Sequence, residues 1–491
     1  MRLAALISDA DRASLSPAQA QTPIASVTAD SRAVRAGALF VAIRGERADG
    51  HRFIDAAIQA GAAAIISEQP LPDAAIPVLV VGNSRAALAQ IAARWYPQTP
   101  ERVVAITGTN GKTSTAGFVR QLANAQGRRA ASIGTLGVIG PAFAEAGKLT
   151  TPDPLVLHRH LAELATRQID ICALEASSHG LAQFRLDGVE LHAAAFTNLS
   201  RDHFDYHGSV EAYFRAKARL FDACLPAGQV AVLNADDAMF ADLATICQRR
   251  GHDVLDFGHA ARRLRLVRQS HRQDGQHLAF ELDGRAHRAE LSLVGGFQAE
   301  NVLAALGLGA ALGLDVDAMV ASLAQLEGAP GRMQLVGRRS IGAAVFVDYA
   351  HTPDALRQAL TALRPHTEGR LLVVFGAGGD RDPGKRPQMG AVCAELADRC
   401  YITDDNPRSE DPARIRAAIR AACPEGIEIG DRAQAIAAAV EALGNGDILL
   451  IAGKGHEPGQ IIGDMVLPFD DAEVARAALG VGDLSASGAA A

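Results

Sequence analysis

The stretch VVAITGTNGKTST, residues 103–115, constrains the fold more than any other, because an apolar strand-forming run breaks at once into glycine, threonine and a single lysine. Backbone N–H groups can converge on phosphate oxygens only where no Cβ intervenes, which accounts for Gly108 and Gly111. Between them stand Thr109 and Asn110. After them come Lys112, whose ammonium suits the β- and γ-phosphates, Thr113, whose hydroxyl suits Mg2+, and Ser114. The residues that follow, TSTAGFVRQLANAQG, have helical periodicity, so the positive end of a helix dipole faces the anion. Strand, loop and helix occur in the order a nucleoside-triphosphate site requires, although the first glycine of the longer G-x-x-x-x-G-K-[ST] pattern is missing.

Such a loop belongs to a parallel α/β sheet, and the pattern of the whole chain predicts an α/β protein of three domains. At 491 residues, the usual size of roughly 150 residues per domain gives about three. Residues 1–92 mix the short strands GALFVAI, AAAIIS and IPVLVVG with helical stretches, a small α/β unit. RWYPQTPERV (94–103) reads as a linker into a central section, 93–330, that carries the phosphate loop on a parallel sheet. EGAPGRMQLVGR (327–338) marks the next boundary, and 331–491 alternates buried strands with alanine-rich helices in a Rossmann-like manner.

Apolar residues make up 48% and charged residues 21%, the balance of soluble globular material. A net charge of −7 argues against a nucleic-acid partner, which would need a basic stripe. The opening MRLAALISDADRASL is too briefly apolar and too acidic for a signal peptide, and no run approaches the ~18 residues of a membrane span. Six cysteines without C-x-x-C or zinc spacing read as reduced thiols. A cytoplasmic monomer acting on small molecules is the expectation.

Two acidic or basic groups stand at strand-to-loop exits of the central section. Glu175 follows IDICAL, where a carboxylate would sit close to Thr113 and share a Mg2+ ion, and His203 ends FTNLSRDH. Ser178 precedes His179, but the stretch does not match G-x-S-x-G, and sequence neighbours cannot form a serine–histidine pair. HRH at 158–160 reads as a helix surface. In the third section AAVFVDYAH, LLVVFGAGGDRD, CYITDDNPR and DILLIAGKGHE share one grammar, an apolar run followed by glycine, charge or histidine. In a parallel sheet all four ends emerge at the carboxyl edge, where doubly wound folds bind ligands. GAGG alone is too short for a dinucleotide fingerprint.

Seven motifs fall in one order: GTNGKTS, TTPDP (150–154), EASSHGLAQFR (175–185), FTNLSRDHFDYHGSVEAYFRAKARLF (196–221), GGFQAENVLAA (295–305), VDYAHTPDAL (347–356) and TDDNPRSEDP (403–412). In that order they resemble the Mur ligase family, ATP-dependent enzymes that form amide bonds in peptidoglycan precursor synthesis. The likeness runs from about Ser31 to Glu457. It implies a UDP-sugar-binding first domain, an ATP-binding second and an amino-acid-binding third, with ATP between the second and third.

Residue by residue, the resemblance implies that Lys217 is carbamylated by CO2 and supports a second Mg2+ with His203, although a helical lysine read alone suits a solvated face. It implies adenine contact for Asn301, ribose contact for Asp348 and triphosphate contact for Arg332. The uridine end falls to Ser31 and the stretch Glu46, Arg47 and Ala48; for Ser31 a helix cap or turn competes. The peptide end falls to Thr150, Thr151, Ser177, Gln183 and Arg185, whose guanidinium can fork onto a carboxylate. The incoming amino acid falls to Arg381, Asp405, Asn406, Pro407, Arg408, Gly453 and Glu457. Departures from the family pattern are Ser114 and Leu149.

The implied reaction activates the D-glutamate carboxylate of UDP-N-acetylmuramoyl-L-alanyl-D-glutamate as an acyl phosphate, which the amine of meso-diaminopimelate then attacks. L-Lysine would leave Arg408 without a carboxylate, so DNPR favours diaminopimelate. Rival readings are the same ligase using lysine, a sister ligase such as a folylpolyglutamate synthase, and a P-loop NTPase that switches a partner.

Overall fold

The computed structural model describes residues 1–45, 48–147, 149–200, 204–272, 274–340 and 342–480. The chain packs as two compact units. The first comprises Met1–Arg265, Leu282–Gly284 and Glu300–Met319; the second comprises Leu266–Glu281, Arg285–Ala299 and the chain from Val320 onward.

In the first unit the amino-terminal section forms a four-stranded parallel sheet in the order Ser26–Thr28, Ala38–Val41, Ala62–Ser67, Val78–Val80. Alternation fills both faces: Leu39 and Val41 enter one core, Ala38 and Phe40 the other. The helix Ser84–Trp95, capped by Asn83, packs on the helix Pro154–Thr166 of the next section.

That section is built on parallel strands in the order Asp253–Gly258, Val230–Asn234, Ala193–Phe196, Arg102–Thr107, Ile171–Glu175, Ala130–Gly134. Two antiparallel strands, Gly137–Gly140 and Phe143–Glu145, extend the Ala130–Gly134 side. The strand that delivers the phosphate loop lies near the middle, buried from Val103 to Thr107, as a continuous apolar run in a parallel sheet should be.

The second unit carries a six-stranded sheet in the order Gln334–Arg338, Ala344–Asp348, Ile448–Ala452, Leu371–Phe375, Arg399–Ile402, Ile427–Glu428. Its first pair is antiparallel and the rest are parallel. Ala344 and Phe346 point into a core shared with Leu356, Leu360 and Met389, while Val345 and Val347 point into one shared with Ile436 and Ala475. Helices therefore cover both faces, the doubly wound arrangement predicted from the sequence. Four ends, after Asp348, Phe375, Ile402 and Ala452, open on one edge.

All six cysteines are free thiols; Cys393, Cys400 and Cys423 meet in one core, and burial pushes the Cys393 thiol up. No helix among the described residues is long and apolar enough to cross a membrane.

Candidate active site

The phosphate loop joins the strand Arg102–Thr107 to the helix Lys112–Ala125. Gly111, the helix N-cap, takes φ +86°, and a Cβ there would strike Asn301 Oδ1; at Gly108 one would strike the Thr197 hydroxyl. Residues beyond the strand Ala193–Phe196 hold the loop's shape. Asn198 O accepts from Thr109 N at 2.8 Å, Asn198 Oδ1 from Asn110 N at 3.0 Å, and Thr197 Oγ1 donates to Asn110 O at 2.6 Å. Lys112 Nζ donates to Gly108 O and Thr109 O at 2.9 and 2.8 Å, and Lys217 Nζ donates to Gly108 O at 2.8 Å. Ser114 is buried on the helix behind them, and so is Asn301, on the helix Phe297–Ala311.

Lys217 is 1% exposed, and its ammonium lies 4.3 Å from the Tyr213 ring centroid. The solvated face expected of a helical lysine is therefore not what the chain builds. The helix Val210–Arg219 turns Tyr213 and Lys217 inward, four residues apart on one face, and leaves Glu211 and Arg215 outside. Tyr213 OH in turn meets Thr109 Oγ1 at 3.1 Å.

Glu175 ends the strand beside the loop strand and is buried. Its carboxylate accepts from Thr113 Oγ1 at 2.9 Å, Thr135 N at 2.8 Å and Thr135 Oγ1 at 3.2 Å. The Thr113 hydroxyl, on the first turn after the loop, and the Glu175 carboxylate it touches are oxygen donors of the kind Mg2+ takes, so these residues fit one such ion. Lys217 as an amine offers no oxygen, and His203 lies outside the described residues. Thr135 went unnoticed in the sequence, although it follows the apolar ASIG run just as Glu175 follows its own.

Thr150, Thr151, Ser177, Gln183 and Arg185 come together in one network. Thr150 Oγ1 lies 3.1 Å from Thr135 Oγ1, and Thr151 Oγ1 lies 3.0 Å from Ser177 Oγ. Arg185 donates to Thr151 O at 2.6 Å and to Gln183 Oε1 at 2.7 Å, and Gln183 Nε2 donates to Tyr206 OH at 3.1 Å. Ser177 is also the N-cap of the helix Ser178–Ala182. The HRH stretch departs from its expected place on a helix surface: His158 and His160 are buried on the helix Pro154–Thr166 while Arg159 faces out. Burial pushes His158 down to about 4. At the amino-terminal section, Ser31 opens the short 3-10 helix Ser31–Ala33, which Asp30 caps by accepting from Arg32 N. Ala48 is exposed, with its carbonyl accepting from Gly45 N at 3.0 Å. Glu46 and Arg47 lie outside the described residues.

In the second unit Asp348 Oδ2 accepts from Met333 N at 2.7 Å and Oδ1 from Ala350 N at 2.8 Å. Burial raises its carboxyl above the ordinary value, opposed by the Arg332 guanidinium and those two N–H groups. Arg332 lies over the Tyr349 ring, 4.8 Å from its centroid. At the adjoining strand ends Asp405, Asn406, Gly453 and Glu457 converge. Asn406 Nδ2 donates to Glu457 Oε2 at 3.0 Å, and a Cβ at Gly453 (φ +120°) would lie 2.6 Å from Asp405 Oδ2. Arg408, held at φ +52°, donates from Nη1 to Gly379 O at 2.8 Å, while a Cβ on Gly379 would strike the Pro407 carbonyl. GAGG is thus a floor that lets Pro407 and Arg408 approach the sheet. Arg381 is exposed on the loop after that floor, donating to Asp380 O at 3.4 Å. Lys454, which lies in the DILLIAGKGHE stretch but was not singled out there, is fully buried between Asn406 and Glu457. It follows an apolar run and a glycine, the same signal that singled out Lys112.

Three family patterns match in succession: the Mur ligase family catalytic domain over residues 23–96, the Mur ligase middle domain over 106–309, and the Mur ligase glutamate ligase domain over 331–455. The chain belongs to the Mur ligase family. It is 51% identical over 471 residues to a protein of Bradyrhizobium diazoefficiens named UDP-N-acetylmuramoyl-L-alanyl-D-glutamate–2,6-diaminopimelate ligase, covering 95% of this chain and 97% of that one. A protein of the same name from Caulobacter vibrioides is 51% identical over 466 residues, covering 93% and 96%. A solved structure of a ligase of that name, 35% identical, superposes with a TM-score of 0.75 over 98% of this chain and 99% of the other. A Mycobacterium tuberculosis folylpolyglutamate synthase complexed with ADP and AMPPCP, 20% identical with a TM-score of 0.62 over 81% and 95%, shares the fold. As a Mur ligase the chain is an ATP-using ligase with the three-part α/β architecture of that family.

Proposed function

We propose that this chain joins meso-diaminopimelate to the D-glutamate γ-carboxylate of UDP-N-acetylmuramoyl-L-alanyl-D-glutamate at the expense of ATP. The observation that carries this reading is the 51% identity, along nearly the whole chain, to ligases of that name. Division of labour follows the three sections: residues 1–92 for the UDP end, 93–330 for ATP and the dipeptide, 331–491 for the amino acid. The enzyme works as a cytoplasmic monomer.

A carboxylate acylates amines poorly because oxide is a poor leaving group. Attack of one γ-carboxylate oxygen on the γ-phosphorus releases ADP and leaves an acyl phosphate. The diaminopimelate amine then adds to the acyl carbon, loses a proton, and phosphate departs with one former carboxyl oxygen. Lys112 offsets charge on the triphosphate, and the loop amides orient it. Thr113 and Glu175 would hold Mg2+, which supplies further charge neutralisation. A CO2-derived carbamate on Lys217 would turn a buried cation into an anionic oxygen donor, and with His203 it would serve a second ion. Arg185, fixed by Thr151 and Gln183, orients the dipeptide. Arg332, Asp348 and Asn301 serve the nucleotide, and Arg381, Arg408, Asp405 and Glu457 the two zwitterionic ends of diaminopimelate.

The test is phosphate release from ATP and the UDP-sugar dipeptide with diaminopimelate, L-lysine or no amino acid, using γ-carboxyl oxygen labelled with a heavy isotope. Release that needs diaminopimelate and carries the label is expected. Equal release without an amino acid would favour an NTPase switch, and unlabelled phosphate would refute the acyl phosphate.

A further inference from the structure

A lysine with no exposure at a ligand-binding strand edge requires an explanation, because a buried ammonium is tolerated only when paired and hydrogen-bonded. Lys454 Nζ donates to Asn406 Oδ1 at 3.0 Å and lies 3.6 Å from Glu457 Oε2. Ile461 N donates to the same Asn406 atom at 2.9 Å. An ammonium and a backbone N–H are donors without acceptor capacity, so the carboxamide atom that faces both has to be the oxygen. Its NH2 is thereby turned onto Glu457 Oε2 at 3.0 Å. That carboxylate oxygen faces two donors, whereas Oε1 meets Tyr349 OH at 3.5 Å, a weak contact. The pair therefore has a defined polarity: Asn406 keeps a second N–H to give, and Glu457 keeps Oε1 to accept.

We propose that Lys454 is a positioning residue for the incoming diamino acid, fixing the Asn406–Glu457 pair so that the carboxamide offers N–H to a substrate carboxylate and Glu457 offers a carboxyl oxygen to a substrate ammonium. This rests on reading the edge as the diamino-acid site. A structural role alone, pinning the hairpin Gly459–Pro468 through Ile461, makes a different prediction. It would lower stability and disturb every substrate together.

The experiment compares wild type, Lys454→Met, Glu457→Gln and the double variant in steady-state phosphate release, varying each substrate in turn. Wild type that releases phosphate without diaminopimelate would sink the proposed function and leave the lysine's role to be read from isothermal titration with diaminopimelate on the same four proteins. With the function intact, Lys454→Met raises KM for diaminopimelate by about tenfold or more, the loss of one charge-assisted contact, and leaves KM for ATP within about twofold. In the titration the same loss appears in Kd. The double variant is worse than Glu457→Gln by less than the factor that Lys454→Met costs alone, because part of the lysine's effect passes through that carboxylate and part through Asn406. Unchanged KM and Kd, a parallel rise for all substrates, or additive effects overturn the proposal. Lys454→Gln, which keeps a donor for Asn406 without the charge, is the second variant should methionine fail to fold. Failure of both to fold assigns the lysine to the core and also overturns it.

Discussion

On the proposed function, the phosphate loop and the carboxyl edge of the second unit would bind charge by opposite means. At the loop the recognition groups are main-chain amides, and the side chains around them, Thr197, Asn198 and Lys217, hold the backbone in place. At the edge the groups proposed for recognition are side chains that hold one another: Asn406 against Glu457, Lys454 against both, Arg408 on Gly379. An anion with equivalent oxygens suits a concave array of N–H donors. A zwitterion needs donors and acceptors in fixed alternation, and side chains of both signs supply it. The loop should therefore tolerate changes in its surroundings poorly and its ligand should be lost outright, whereas changes at the edge should alter selectivity.

The sharpest test of the loop is Lys112→Ala. Removing a preorganised cation from a charge-developing site is expected to lower phosphate release by about 100- to 1000-fold. Thermal unfolding should be nearly unchanged, because the bonds that Lys112 Nζ donates to Gly108 O and Thr109 O lie within its own loop. Residual turnover above a tenth of wild type would remove the loop from the reaction.

Next in size come two glycine variants that should separate the regions. Gly111→Ala forces a left-handed residue, at about 1–2 kcal/mol, and drives its methyl into the Asn301 carboxamide. Lower Tm and weaker ATP binding are expected, with KM for diaminopimelate unmoved. Gly453→Ala, with Asp405 Oδ2 at 2.6 Å from the new Cβ, should reverse the pattern. Binding of ATP and of diaminopimelate, measured by titration calorimetry on both variants, checks the crossing. Equal loss of both ligands in either variant would merge the two regions into one.

These differences explain what could be read from sequence. The loop's constraints are local: Gly108, Gly111 and Lys112 lie within five residues, and the steric reason for each glycine holds wherever the strand goes. Strand ends were equally legible, since an apolar run of four or five residues in a parallel sheet is buried on both faces; this located Glu175 and the stretches that hold Asp348 and Asp405, which the family resemblance then singled out. Partnerships across the sheet were not. Thr135 reaches Glu175 across forty positions and Lys454 reaches Asn406 across forty-eight, and neither pairing leaves a spacing in the chain. Burial on helices also escaped composition. Lys217 looked solvated because lysine normally is, and His158 looked external because it stands in the polar triplet HRH; in both cases the face that packs inward decided the matter.

The smallest effect concerns Arg408. Its left-handed backbone and its bond to Gly379 O aim the guanidinium over the GAGG floor, and one nitrogen is used in holding it there. Diaminopimelate carries a carboxylate at each end and lysine at one, so a cation facing the second carboxylate separates the two amino acids by the contact that lysine cannot make. Arg408→Leu keeps bulk and removes the charge. It should raise KM for diaminopimelate and leave that for lysine nearly constant, narrowing the ratio of kcat/KM by about tenfold. Arg408→Lys should recover part of the ratio, since an ammonium attracts the carboxylate without the planar fork. Competition between the two amino acids in one reaction, with products resolved by mass, reads the ratio directly. A ratio unchanged in Arg408→Leu would move selectivity to Arg381, on the loop after the floor, and would mean that the left-handed backbone at 408 serves the floor and not the ligand.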